Sequence, residues 1–131
     1  MSITEPSLNE WLAEAKASEN ADKCGMFLVH NGTVRATAKA QVRKGEDKPP
    51  VSKIEFSYDE AGVEAAIQEA LGWDGIYYVK VWLNKGVLSV GESIMYVLVG
   101  GDIRPHVVDA LVKLVGKIKT DLVVENEIYE G

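Results

Sequence analysis

The 131-residue chain holds a single cysteine, Cys24, which excludes an intrachain disulfide and any cysteine-built zinc site. Two histidines, His30 and His106, stand too far apart in sequence for a local metal motif, so no metal and no resident cofactor is expected. No uninterrupted apolar run approaches the roughly 20 residues of a membrane-spanning helix, and the start, Met1-Ser2-Ile3-Thr4-Glu5-Pro6, lacks the basic and apolar regions of a signal peptide. The chain therefore reads as cytoplasmic, with no membrane partner. Basic residues are also short, 14 Lys and Arg against 20 Asp and Glu, for a net charge of −6. That balance argues against nucleic-acid binding, because neutralising phosphates takes a surplus of cations. Nucleophile elbows, phosphate loops and dinucleotide fingerprints are all missing.

What is present is distributed unevenly. Residues 1–23 carry five acids and two bases, residues 24–119 eleven acids and twelve bases, and residues 120–131 four acids and no base. A near-neutral body thus lies between two acidic ends. The length suits one domain with its own core.

Apolar periodicity supplies the elements. Ser7 with Glu10 three positions later makes a capping box for a helix over Ser7–Ala17, whose apolar face is Leu8, Trp11, Leu12 and Ala15. Cys24–Arg35 reads as a strand, with Gly32 a bulge or a close-approach point. Ala36–Pro50 loses the pattern and ends in a charged loop, Arg43-Lys44-Gly45-Glu46-Asp47-Lys48-Pro49-Pro50. Lys53–Tyr58 alternates as a strand and Glu60–Leu71 has helical spacing. Ile76–Leu83, Gly86–Val90 and Ser93–Val99 are three strands in quick succession, with turn signals at Asn84-Lys85-Gly86 and Gly91-Glu92. A helix over Ile103–Thr120 follows, with Pro105 in its first turn, where the missing amide proton costs little. Leu122–Tyr129 forms a last strand. The order α-β-β-α-β-β-β-α-β is an α+β fold with a mixed or antiparallel sheet.

The chemistry narrows by elimination. Cys24 opens an apolar strand and reads as a small buried hydrophobe; Trp11, Trp73 and Trp82 read as core or interface residues. Basic residues remain. Arg35 ends the first strand, Arg104 opens the last helix, and Lys113, Lys117 and Lys119 lie toward that helix's end, where cations also offset the helix dipole. A lysine in an apolar pocket can act as nucleophile or general base.

Four segments in this order resemble the MoaE family, the large catalytic subunit of molybdopterin synthase. Gly32-Thr33-Val34-Arg35 is similar to the family's Gly-x-Val-Arg, and Ile54-Glu55-Phe56-Ser57-Tyr58 to its Leu-x-x-x-Tyr before a helix. Gly86-Val87-Leu88-Ser89-Val90-Gly91-Glu92 resembles the Gly-x-Leu-x-x-Gly-Glu/Asp turn, and Ile118-Lys119-Thr120 the Leu-Lys-x that closes the last helix. The likeness runs from about Leu8 to Asn126.

The resemblance implies one MoaE-like domain over residues 1–131 with an α/β hammerhead fold, forming a homodimer. It implies a small ubiquitin-like MoaD-type subunit as partner, whose Gly-Gly tail carries a thiocarboxylate, and a phosphorylated pterin as substrate. Sulfur passes from that tail to cyclic pyranopterin monophosphate in molybdenum cofactor biosynthesis. Lys119 is then the catalytic residue, Arg35 and Arg104 hold phosphate or the tail carboxyl, and Arg43 and Lys44 help close the pocket. The chain departs from the family at Leu83-Asn84 and Ile103-Arg104, where the family has His-Arg. It departs again at His30, where a phenylalanine is usual, and at Asn126, which stands where the family has a second lysine. These departures keep two other readings open: a catalytically lapsed binding or assembly protein that retains fold and dimer, and sulfur transfer or tail binding with another substrate.

Overall fold

In the computed structural model the described residues are 4–37, 45 and 49–129. The elements, in order, are helix α1 (Leu8–Lys16), a 3₁₀ turn (Ala21–Lys23), strands β1 (Met26–Thr33) and β2 (Val51–Tyr58), helix α2 (Glu60–Leu71), strands β3 (Ile76–Leu83), β4 (Gly86–Ser89) and β5 (Ser93–Gly101), helix α3 (Arg104–Lys117), a π turn (Ile118–Leu122) and strand β6 (Val123–Tyr129). This is the α+β order expected from periodicity. Ser7 Oγ accepts from the Glu10 amide, the N-cap expected for α1, and Asp59 Oδ1 caps α2 by accepting from the Gly62 amide.

The strands divide into two three-stranded antiparallel sheets, one ordered β1-β5-β3 and the other β4-β2-β6. β5 is the centre of the first and is buried along its whole length. Met95, Val97 and Val99 turn into the main core with Val107 and Leu114 of α3 and Val63 and Ala66 of α2. Tyr96 and Leu98 face the opposite way, onto Trp11 and Ala15 of α1. Burial on both faces explains why β5 reads as an unbroken apolar run rather than an alternating one. At its end Gly100 is obligatory, because a Cβ there would lie 2.6 Å from the Phe27 ring.

Three local expectations change. The three strands in quick succession do not pair in chain order: β3 pairs directly with β5, while β4 crosses to the second sheet beside β2. Asn84 makes the crossing possible. It is buried, its backbone amide donates to the Ile94 carbonyl and its Nδ2 to the Ser93 carbonyl, and its Oδ1 accepts from the Lys85 amide. Second, the last α-helix stops at Lys117 instead of Thr120 and closes in the π turn, which buries Ile118 completely while leaving Lys119 exposed. Third, β1 is shorter than Cys24–Arg35, and its register with β5 slips between Gly32 and Thr33, so Gly32 marks a bulge. That slip frees Val34 and Arg35 from the ladder.

Candidate functional site

The freed end of β1 is pinned against the turn between β4 and β5. The Val34 amide donates to the Glu92 carbonyl, the Gly91 amide donates to the Val34 carbonyl, and Glu92 Oε2 accepts from the Ser89 amide. Gly91 has φ +93°, the left-handed conformation this tight contact needs. Two segments far apart in sequence, the one around Val34 and the Gly91-Glu92 turn, thereby form one rim.

A cleft opens beneath it, lined by Thr33, Val34 and Arg35, by Ile54 of β2 and Ile94 of β5, by Lys119 of the π turn, and by Glu125 and Glu127 of β6. Its space is about 400 Å³ counted to the open mouth. The π turn carries Lys119 here: an α-helix run on to Thr120 would advance that residue along the helix axis, whereas the widened turn leads the chain back into β6, paired with β2 from Tyr58–Val123 onward. Arg35 Nε donates to the Thr37 carbonyl at 3.0 Å, which holds the guanidinium at the rim. Two cations and two carboxylates therefore share a small, open space. Such a cleft has room for a small polar or charged group, held by the cations or the carboxylates according to its charge.

The other expected site residues lie elsewhere. Arg104 opens α3 and is exposed; along a 14-residue helix that places it about 20 Å from the Lys119 end of the same chain. Arg43 and Lys44 lie outside the described residues. Asn126, taken as the counterpart of the family's second lysine, is on the opposite face of β6, in a groove with Glu55, Phe56, Ser57, Gly86 and Val87. Strand alternation directs Glu125 and Glu127, not Asn126, toward Lys119.

Sequence reasoning missed His30. Its Nε2 is buried and has no hydrogen-bond partner, an arrangement that costs about 1–3 kcal/mol when nothing compensates it. Burial, and then the nearby Lys119 charge, push the imidazole pKa below the usual histidine range. The available signal was alternation, which puts His30 on the strand face of Gly32, just before the Thr33–Arg35 segment that lines the cleft.

His106 shows the reverse. At the other end of α3 its Nδ1 donates to Asp102 Oδ1 at 2.7 Å, with Asp74 Oδ2 3.8 Å from Nε2. The hydrogen bond to Asp102 raises the imidazole pKa and lowers that of the carboxyl. His106 also borders a second cleft with Trp73, Asp74, Asp109, Ala110 and Lys113, in which Lys113 Nζ sits 4.3 Å from the centre of the Trp73 ring. Burial, followed by Asp22 and Asp102, raises the Cys24 pKa, which keeps it a thiol rather than a nucleophile. Among the described residues no group of three or more His, Cys, Asp or Glu could hold a metal ion, and no helix is long and apolar enough to cross a membrane.

The two antiparallel sheets, the crossing β4 and the lysine on a π turn define an α+β domain built around a small charged cleft. Residues 4–121 match the family described as MoaE protein, and the chain belongs to that family. Three solved structures are similar to it in fold. Molybdopterin synthase from Staphylococcus aureus superposes with a TM-score of 0.74 at 19% identity, covering 98% of this chain and 89% of that one. The molybdopterin biosynthesis MoaE protein from Burkholderia ambifaria gives 0.71 at 21% identity, covering 97% and 82%. The complex of subunits 1 and 2 of the molybdopterin-converting factor from Helicobacter pylori gives 0.66 at 18%, covering 94% and 76%. Among curated proteins none matches.

Proposed function

We propose that the chain is a large subunit of molybdopterin synthase. On this reading residues 1–131 form a single MoaE-like domain that transfers sulfur from the C-terminal thiocarboxylate of a small MoaD-type subunit to cyclic pyranopterin monophosphate. Family membership supports a role in molybdenum cofactor biosynthesis, and the Helicobacter pylori complex of two subunits supports a small-subunit partner. The single observation that carries the finer reading is the meeting of Arg35 and Lys119 in one open cleft, from segments more than eighty residues apart.

Each has a distinct task. Arg35 holds phosphate or carboxylate by charge-assisted hydrogen bonds. Lys119 stands beside the entering tail as nucleophile or general base for acyl and sulfur transfer. Arg104 cannot reach the Lys119 cleft of its own chain, so any anion-binding role there requires the second subunit of a homodimer. Arg43 and Lys44 are assigned to closing the pocket.

The test mixes the protein with a thiocarboxylated small subunit and the pterin precursor, following dithiolene formation. Wild type is active and Lys119→Ala is not. A wild type that binds the small subunit yet makes no product overturns the enzyme reading. Mixed dimers of Lys119→Ala with Arg104→Ala recover part of the activity if Arg104 works across the dimer.

Glu125 and Glu127 favour a second reading, a binding or assembly protein without catalysis, because two carboxylates in the cleft oppose a phosphorylated substrate. In that case small-subunit capture persists in Lys119→Ala and no product forms with either protein.

A further inference from the structure

Alternation along β1 puts Met26, Leu28, His30 and Gly32 on one face, and Met26 and Leu28 pack against the main core beneath α3. Gly32 contributes no side chain there. A Cβ on it would lie 3.5 Å from His30 Nε2, so the imidazole leans along the strand over Gly32, toward Thr33–Arg35 and the cleft. Nε2 is buried and has nothing to bond to. The opposite strand offers only apolar neighbours, since His30 faces Val97 and Gly32 faces Met95.

Among the described residues, four charged side chains line the cleft. Lys119 comes from the π turn, Arg35 from the end of β1, and Glu125 and Glu127 from β6. Of these, Lys119 is the charge that acts on the His30 ring. Its side chain is exposed, long and free to change rotamer. A buried nitrogen without a partner therefore stands near the Lys119 ammonium.

We propose that His30 is a positioning residue for Lys119: the ring carries its proton on Nδ1 and keeps the Nε2 lone pair to accept a hydrogen bond from Lys119 Nζ at the inner end of the cleft. The pairing satisfies both atoms at once. It draws the lysine inward from the mouth, away from the carboxylates of Glu125 and Glu127. A neutral imidazole is the right partner for this task. It accepts from an ammonium without cancelling its charge, and a second cation at the same point would repel it. Protonating His30 at acid pH abolishes the acceptor and releases Lys119. The proposal concerns where Lys119 is held as an ammonium before it gives up its proton, and rests on its assignment as the reacting residue only for the consequence in sulfur transfer.

The test needs no substrate, so its failure is separate from failure of the sulfur-transfer assay. Nitrogen-15 spectra of the imidazole rings of the full chain at pH 8 report which nitrogen bears the proton. The expected result is an unprotonated Nε2 in wild type, and a shift of that resonance in Lys119→Met. A protonated Nε2 in wild type, or a spectrum unchanged in Lys119→Met, overturns the proposal. Acylation of Lys119 by an amine-reactive ester, mapped by mass spectrometry, gives an independent readout. Loss of the acceptor in His30→Phe should speed labelling at least about threefold, because the ammonium loses a hydrogen bond that favours its charged form. His30→Gln, which keeps an acceptor, should label like wild type. Equal rates in all three proteins also overturn it.

Discussion

Helix α3 joins two sites whose histidines experience opposite surroundings. At its start, His106 is half-exposed and bonded to Asp102, with Asp74 close by, and the carboxylates favour its charged form. Past its end, His30 lies on β1 near the Lys119 charge with its Nε2 buried, and both burial and that charge favour its neutral form. The first arrangement is complete in itself: donor and acceptors are matched, and the cluster ties the β5–α3 junction to the turn after α2. The second is incomplete, with a buried nitrogen unpaired and a cleft left open. Polar groups that satisfy one another stabilise a fold, whereas groups left unsatisfied at a cleft are available to a ligand.

The sharpest way to break the comparison is through activity. Lys119→Ala should lower dithiolene formation by about 10²-fold or more, while His106→Ala at the other end should leave the rate within about twofold once the protein is folded. Comparable losses from both would mean that the two ends are not functionally distinct.

Next comes backbone strain at the matched end. Gly75 has φ +78°, and a Cβ on it would lie 2.3 Å from Asp102 Oδ1 and 2.4 Å from His106 Nδ1. Gly75→Val should cost about 1–3 kcal/mol in urea unfolding. Gly116→Ala in α3, where a Cβ meets nothing within 4 Å, should instead gain about 0.5–1 kcal/mol.

The carboxylates of the open end should be separable from its cations. Glu125→Gln together with Glu127→Gln should tighten inorganic phosphate binding by about three- to tenfold at low salt, by removing like-charge repulsion. An unchanged affinity by calorimetry would mean that phosphate does not use this cleft.

The smallest effect is a difference in pH dependence. The His106 pKa is raised in the folded protein, so its bond to Asp102 adds stability that is fully present below the unfolded value of about 6.5 and is lost as pH rises through the folded value. Asp102 is lowered, so its share is present above the unfolded carboxyl value and is lost as pH falls through its folded one. His30 is lowered, so the unfolded chain binds the proton more readily, and His30 subtracts stability as pH falls below about 6.5. Urea midpoints at pH 5 and pH 8 should therefore move in opposite senses. His106→Gln should lose more at pH 5 than at pH 8, while His30→Phe should gain more at pH 5. Parallel behaviour of the two variants would remove the distinction.

Much of the fold was legible because its signals are local. Ser7 announces a helix by a side chain that caps an amide following it, and the alternation in Lys53–Tyr58 follows from one buried face. Arg35 and Lys119 were legible as candidates too, since each stands where a regular element gives way. Other features depend on partners far along the chain. The turn signal at Asn84-Lys85-Gly86 is genuine, yet only the hydrogen bonds of Asn84 to the backbone of Ser93 and Ile94 send β4 across to β2. The facing of β6 depends on its register with β2, where Asn126 lies opposite Glu55 and Glu125 opposite Phe56. A shift of one residue would have exchanged Asn126 for its neighbours in the cleft.

By itself, then, the sequence determined the elements, their α+β order, the near-neutral body between acidic ends, and the short stock of residues able to do chemistry. Tertiary structure decided which of them meet. It brought Arg35 to Lys119, put Glu125 and Glu127 beside them, set Arg104 at the far end of a rigid helix, and buried His30 without a partner. The reason is physical: caps, periodicity and turn preferences act within a few residues, whereas burial, strand register and electrostatic coupling exist only once distant segments are packed against one another.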